Sequence, residues 1–245
     1  MLAGLYSAAT GMNTAAEQHE IIARNLAHAG VPGYRRQVMV SETFEAALGA
    51  AISPPSGHEA WGAAKEGIVT DFAQGPIHRT ERPLDVAIDG PGFFTIATAD
   101  TGDVFYTRNG AFQRSESGEL VTAEGHLVQG QGGPITIPPN VATNQIFIGA
   151  DGGVRSDTVE FGKLQIVEFE DPSLLRPVGS TMFVADGLES SEGASRVLQG
   201  SRELSNVSAV EELVAMIAGM RHYESSQRAL RSISEAVEQN TNPQS

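Results

Sequence analysis

Leu84-Asp85-Val86-Ala87-Ile88-Asp89-Gly90-Pro91-Gly92-Phe93-Phe94 holds two β-prone runs around a cluster of turn formers, and the second run continues to Thr98. Apolar and polar residues alternate in the first run, aromatic and β-branched residues fill the second, and the turn formers reverse the chain. Residues 89–94 thus read as a hairpin with two core aromatics. The same grammar continues downstream. Val104–Thr107 and residues 111–114 flank Asn109-Gly110, the strongest short-range hairpin signal. Residues 120–122 and 127–129 flank Gly125, and residues 134–137, 145–148, 162–169 and 181–185 follow as further strands. No helical period interrupts them. Residues 67–203 therefore predict an antiparallel β-rich domain of sandwich or barrel type.

Outside this region the period changes. Leu5, Ala8, Met12, Ala15, His19, Ile22, Leu26 and Ala29 recur at alternating spacings of three and four, the seam of an amphipathic helix. Glu20 and Arg24 support it four residues apart, and Gly30 and Pro32 stop it. At the other end Ser208 and Glu211 have capping-box spacing, with Val207 placed to pack on the first turn. Val210, Leu213, Ile217, Met220, Tyr223, Gln227, Leu230, Ile233 and Val237 then share one face, with Glu224 and Arg228, and Arg231 and Glu235, on the outside. The two helices come to about 40 and 45 Å at 1.5 Å per residue, matched well enough to lie side by side.

The division that follows is an N-terminal helix and turn (1–34), a connector (35–66), the β-rich domain (67–203), and a C-terminal helix with its tail (204–245). Within the connector, residues 41–51 suit a short helix and Ser53-Pro54-Pro55-Ser56-Gly57 a flexible link. An amphipathic terminal helix usually covers its own domain. The N-terminal seam, however, is dominated by alanine and offers little burial to a single partner at ~25 cal/mol per Å². Small residues let several helices approach closely, so the expected arrangement is a coiled-coil-like axial region shared among copies.

Composition narrows the function. A formal net charge of −14, with Lys65 and Lys163 the only lysines, makes nucleic acid and anionic membranes poor partners. Cysteine is absent, which removes disulfide and thiolate chemistry. No basic start followed by an apolar run marks a cleavable signal, and no window is apolar enough to span a bilayer. Asp100-Thr101-Gly102 has the letters of an aspartic-protease loop, but that chemistry needs two carboxylates sharing a proton, and the loop has no second copy. The six histidines, at 19, 28, 58, 78, 126 and 222, have no histidine or cysteine three or four residues on. Gly130-Gln131-Gly132-Gly133 lacks the lysine-serine pair of a phosphate loop, and no G-x-S-x-G elbow occurs. The expectation is a protein with no catalytic site, metal or cofactor.

Asn25-Leu26-Ala27 followed by Gly33-Tyr34 resembles the signature of the flagellar rod and hook proteins. So do Ala8-Ala9-Thr10-Gly11-Met12 upstream, the 84–94 stretch, Tyr106-Thr107-Arg108-Asn109-Gly110-Ala111-Phe112, Gly118-Glu119-Leu120-Val121, and Leu204-Ser205-Asn206-Val207 with Val210-Glu211-Glu212-Leu213. The resemblance runs through nearly the whole chain, in order. Arg24, His28, Val31-Pro32 and Met220 depart from the family pattern, which bears on local turn geometry and inter-subunit bonds.

What the resemblance implies is a structural subunit of the basal-body rod. Such subunits are exported unfolded through the flagellar type III apparatus and polymerise with themselves and neighbouring rod and hook subunits into a hollow drive shaft. It also makes Leu5, Met12, Ile22, Asn25, Leu26, Ala27, Gly33 and Tyr34, with Asn206, Val207, Leu213, Ile217, Tyr223 and Leu230, the residues expected at subunit interfaces. Physics alone reads Asn25, Gly33 and Tyr34 equally well as a plain helix-stop loop. Chain length leaves two rod types open, a proximal subunit bearing a middle domain and the distal subunit. A β-sandwich adhesin or carbohydrate-binding module accounts for the middle domain but leaves the helical seams unexplained, and an aspartic hydrolase needs a second carboxylate near Asp100.

Overall fold

The computed structural model describes residues 2–40, 67–157, 159–193 and 195–241. The short helix and flexible link expected at 41–51 and 53–57 lie outside the described residues. The chain divides into two compact units. One comprises Met1–Ala27, Gln37–Val69 and Ser208–Ser245; the other comprises His28–Arg36 and Thr70–Val207.

The first unit contains the helices α1 (Leu2–His28) and α2 (Ala209–Thr241) and a two-stranded sheet of β1 (Gln37–Val40) and β2 (Gly67–Thr70). Only the last residue of α1 and the last residue of β2 pass the unit boundary. The start of α2 follows the expected cap. Glu211 N donates to Ser208 Oγ at 3.4 Å, and Glu211 and Glu212 place negative charge in the first turn, where the helix dipole favours it. Glu20 and Arg24 pair at 2.7 Å, and Glu224 and Arg228 at 3.4 Å. Residues 37–40, read from sequence as part of a connector, form a strand.

The second unit is antiparallel β throughout its described pairings. Its strands are β3 (Ile77–Arg79), β4 (Val86–Asp89), β5 (Phe93–Ala97), β6 (Val104–Thr107), β7 (Gln113–Arg114), β8 (Leu120–Val121), β9 (Leu127–Gly130) and β10 (Gly133–Pro134). They continue as β11 (Phe147–Ile148), β12 (Gly153–Arg155), β13 (Glu160–Lys163), β14 (Ile166–Phe169), β15 (Arg176–Val178), β16 (Met182–Val184), β17 (Ser190–Glu192), β18 (Arg196–Gln199) and β19 (Ser201–Glu203). The largest sheet runs β15-β16-β6-β5-β9-β8-β7, with β10 added to β9, β14 to β5 and β17 to β14. Smaller sheets are β11-β12-β13, β18-β4 and β19-β3.

Strand β5 organises the interior because it is buried along its whole length. Phe94 and Ile96 enter one apolar cluster with Val86, Ile88, Phe112, Leu120 and Val128. Phe93 enters a second with Val167, Phe169, Leu175 and Phe183. A strand buried on both sides reads as a near-continuous apolar run rather than an alternating one, and Phe93–Ala97 has that character apart from Thr95. Edge-to-face ring packing closes both clusters, Phe94 on Phe112 at 5.1 Å and Phe93 on Phe169 at 5.8 Å.

Two expected hairpins do not form. β4 pairs with β18 and β5 with β6, β9 and β14, so residues 89–94 carry the chain from one sheet to another. Gly92 is needed there for close approach, since a Cβ would come within 2.6 Å of Ile166 Cγ2, and its N–H donates to Ser195 Oγ at 3.0 Å. Asn109-Gly110 likewise does not join paired strands, because β6 lies between β5 and β16 while β7 pairs with β8. The Gly110 carbonyl accepts from Val86 N at 2.9 Å, and any Cβ on Gly110 would collide with the Val86 carbonyl. Tertiary pairing overrides the local turn preference here. The turn around Gly125 does form, with Val121 opposite Leu127. The single strand expected at 162–169 is two, β13 and β14, broken where Leu164 bridges to Gly130.

Candidate assembly surfaces

The signature residues fall into two groups. One group is tied into the chain itself. In the helical unit, the buried Asn25 side chain imitates a strand neighbour for Gln37: its Nδ2 donates to Gln37 O at 2.8 Å, and its Oδ1 accepts from Gln37 N at 2.9 Å. Arg24, a departure from the family pattern, donates to Gln37 Oε1 at 3.0 Å and thus grips the same residue.

In the β unit, Gly33 adopts φ +73°, and its N–H donates to Glu203 O at 2.9 Å. A Cβ there would sit 2.5 Å from Asn109 N, so both conformation and space demand glycine. Tyr34 is buried and stacks on His28 at 4.9 Å. Asn206 ties three segments together. Its Oδ1 accepts from Arg36 N at 2.7 Å, while its Nδ2 donates to Asp71 O at 2.9 Å and Ala73 O at 3.1 Å. Val207 is buried, and its N–H donates to Ser205 Oγ at 3.1 Å.

Beneath this clasp lies a charged cluster that sequence reasoning missed. Glu203, fully buried, accepts from Arg35 Nη2 at 2.6 Å and from Arg108 Nη1 at 3.4 Å, and its Oε1 also takes the Gly75 N–H at 2.9 Å. The Arg108 guanidinium lies 4.7 Å over the Phe93 ring. Burial pulls the Arg108 guanidinium down to about 10, below the usual arginine range, with Glu203 opposing that and the neighbouring Arg35 adding to it. Arg108 therefore stays charged near neutral pH. Two arginines share one carboxylate, and Arg35 Nε and Nη1 and Arg108 Nε have no partner among the described residues. Geometry of this kind is costly to disturb from the carboxylate side.

The second group of signature residues lies along the two helices, and its members at the start of α2 face outward. Along α2, Val210 is 72% exposed, Leu213 47%, Val214 62%, Ile217 54%, Met220 51% and Tyr223 38%. Leu230, farther along the same helix, is half-buried. On α1, Met12 and Leu26 are half-buried, Ala27 is exposed, and Ala15 and Ile22 are buried; Leu5 lies in the helix. A contiguous apolar stripe on a helix in an otherwise polar setting marks an interaction surface.

Other candidate chemistry finds no support in the geometry. Asp100, Thr101 and Asp103 occupy an exposed turn between β5 and β6, where Thr101 Oγ1 donates to Asp103 Oδ2 at 2.6 Å. Among the described residues, no three histidine, cysteine, aspartate or glutamate side chains stand close enough to hold a metal ion. No described helix is long and apolar enough to cross a membrane.

Residues 87–156 match the flagellar hook protein FlgE/F/G D1 domain, and residues 198–240 match the flagellar basal body rod FlgEFG protein C-terminal region. Over 94% of both chains, the sequence is 32% identical to the flagellar basal-body rod protein FlgG of Borreliella burgdorferi. The chain belongs to the flagellar basal-body rod proteins. Rod proteins of the FlgF kind match equally well. That of Salmonella typhimurium is 31% identical over 94% of each chain, and that of Escherichia coli 32% identical over 94% of this chain and 93% of its own. In this rod protein the D1 match begins inside β4 and ends just past β12, while the C-terminal match covers the end of β18, all of β19 and nearly all of α2. The two matched regions thus carry part of the β interior and the exposed helical stripe.

Proposed function

We propose that this rod protein is a structural subunit of the flagellar basal-body rod, assembling with copies of itself and with neighbouring rod and hook subunits into a hollow shaft that transmits torque. The observation that carries this reading is the unpartnered stripe Val210, Leu213, Val214, Ile217 and Met220 on a chain of the rod family. Burying such a stripe between subunits stabilises a polymer by the same effect that stabilises a core. Leu213, Ile217, Tyr223 and Leu230 on α2, with Leu5, Met12, Ile22, Leu26 and Ala27 on α1, line the coiled-coil-like axial region in this reading. Asn25, Gly33, Tyr34, Asn206 and Val207 act one step back, fixing the segments from which the helices depart. A drive shaft needs stiffness and no turnover.

The chain reaches the basal body through the flagellar export apparatus. Isolated amphipathic helices are marginal in water, so the axial helices gain order on incorporation. Circular dichroism of monomer and polymer tests that step: helix content rises on assembly, and a monomer with full, cooperative helix content overturns it. For the function itself, Leu213→Asp with Ile217→Asp places two charges in the stripe. Purified basal bodies from a strain carrying this variant should lack the subunit, and the cells should not swim. Incorporation at the wild-type level would refute the assembly role of α2.

A further inference from the structure

Copies of a chain with 30 acidic and 16 basic residues repel one another at close range, so each lateral contact in a polymer needs a cation left free by its own subunit. The β unit has such a place. A cleft of about 400 Å³ opens beside the edge strand β7, lined by Arg82, Leu84, Phe112, Gln113, Arg114 and Thr143. Arg82 is well exposed, and its nearest carboxylate oxygen, on Asp85, is 4.0 Å away. Asp85 is already engaged by Arg202 at 2.7 Å and by the Thr80 hydroxyl at 2.7 Å, so the exposed Arg82 guanidinium has only this long ion pair to a carboxylate with closer partners. Arg114 commits only Nη1, which donates to Val141 O at 2.6 Å and Pro138 O at 3.4 Å; this braces the wall that carries Thr143. Gln199 Nε2 holds the Pro83 and Ile146 carbonyls at 2.8 Å each, so the cleft is rigidly built. Its lining combines two guanidinium groups with the polar Gln113 and Thr143 and the buried Leu84 and Phe112.

The complementary shape is on the same chain, elsewhere in the unit. Asp100-Thr101-Gly102-Asp103 is an exposed turn at the tip of β5 and β6, with no cation paired to either aspartate among the described residues and with Val104, 47% exposed, at its foot. Its two carboxylates complement the two guanidinium groups of the cleft in charge.

We propose that the Arg82–Arg114 cleft of one subunit receives the acidic turn 100–103 of the next copy, a head-to-tail contact between β units. This rests on the assembly reading above. Because cleft and turn are different surfaces, each bound copy leaves one of each unfilled, and such a contact propagates into a ring or helix rather than closing as a two-fold dimer.

The absence of native cysteine makes a direct test available. Full-length Gln113→Cys and full-length Thr101→Cys are mixed under oxidising conditions, with Ser191→Cys replacing Thr101→Cys as a distant control. The cleft–turn pair should form heterodimer faster than the control. Arg82→Glu in the cleft partner should lower its yield about fivefold, and salt at about 0.5 M should do the same by screening. The Arg82 side chain's ion pair with Asp85 is long, at 4.0 Å, and its hydrogen bonds at 3.1 and 3.4 Å are made by its backbone, so its variant keeps the wild-type dichroism spectrum. A heterodimer yield no higher than the control, or one indifferent to Arg82→Glu, overturns the contact. Leu213→Cys cross-linked to itself runs in parallel. If that pair forms while the cleft–turn pair does not, only this contact falls; if neither forms, the assembly reading falls with it.

Discussion

Phe94 and Ile96 in the β unit and Val214 and Ile217 in α2 are residues of similar hydrophobicity with opposite fates: the first two are at most 1% exposed, the second two 62% and 54%. The strand residues find neighbours because β5 has partners on both edges and side chains packed against both faces. The helix residues lie on a stripe that the described chain leaves open. One region therefore stabilises the monomer, and the other, in the proposed reading, holds apolar surface for a neighbour. The difference can be measured, since the same kind of truncation should act on folding in one place and on association in the other.

The largest effects belong to the β unit. Phe94→Ala leaves a cavity beside Phe112 and should cost about 3–5 kcal/mol of stability in denaturant unfolding. Glu203→Gln should cost about the same, because it strands the Arg35 and Arg108 charges without their shared carboxylate. If Glu203→Gln were neutral, the clasp would be ornament to the fold rather than its fastening. A smaller loss is expected in the helical unit. Asn25→Ala removes both bonds to Gln37 and should cost about 1–2 kcal/mol, read as faster hydrogen exchange of the Gln37 amide. Unchanged protection there would mean the signature asparagine serves only contacts between subunits.

How much of this was legible depended on whether the signal was periodic and local. The 3–4 spacing from Leu5 to Leu26 and from Val210 to Leu230 marked both helices, and the aromatic and β-branched run Phe93–Ala97 marked the central strand. Ser190–Glu192 and Ile77–Arg79 carried no such mark: all six residues are exposed, and they become strands only because partners distant in sequence supply the hydrogen bonds. Asn109-Gly110 misled for the converse reason, since its strong local preference was outweighed by the bond between Val86 and the Gly110 carbonyl. The charged clasp was hidden twice over. Charged residues are presumed exposed, and Glu203 meets Arg35 across 168 residues. The available clue was Arg35, an arginine directly after the Gly33-Tyr34 signature. Among the signature positions, spacing distinguished helix from loop but could not tell Asn206, which binds within its own chain, from Ile217, which does not.

The smallest effect on stability is also the one that tests the contrast most sharply. Ile217→Ala removes three heavy atoms from a side chain that is already more than half in water, so the monomer should lose no more than about 0.5 kcal/mol, within the range of ordinary surface substitutions. Its unfolding midpoint should overlay the wild-type curve. Self-association by sedimentation should nevertheless weaken, because the same atoms are buried only when a second copy covers the stripe. The two measurements must separate for the comparison to hold. A variant that melts early but associates normally would mean that α2 packs onto its own chain in solution and that the exposed stripe is not held for a neighbour.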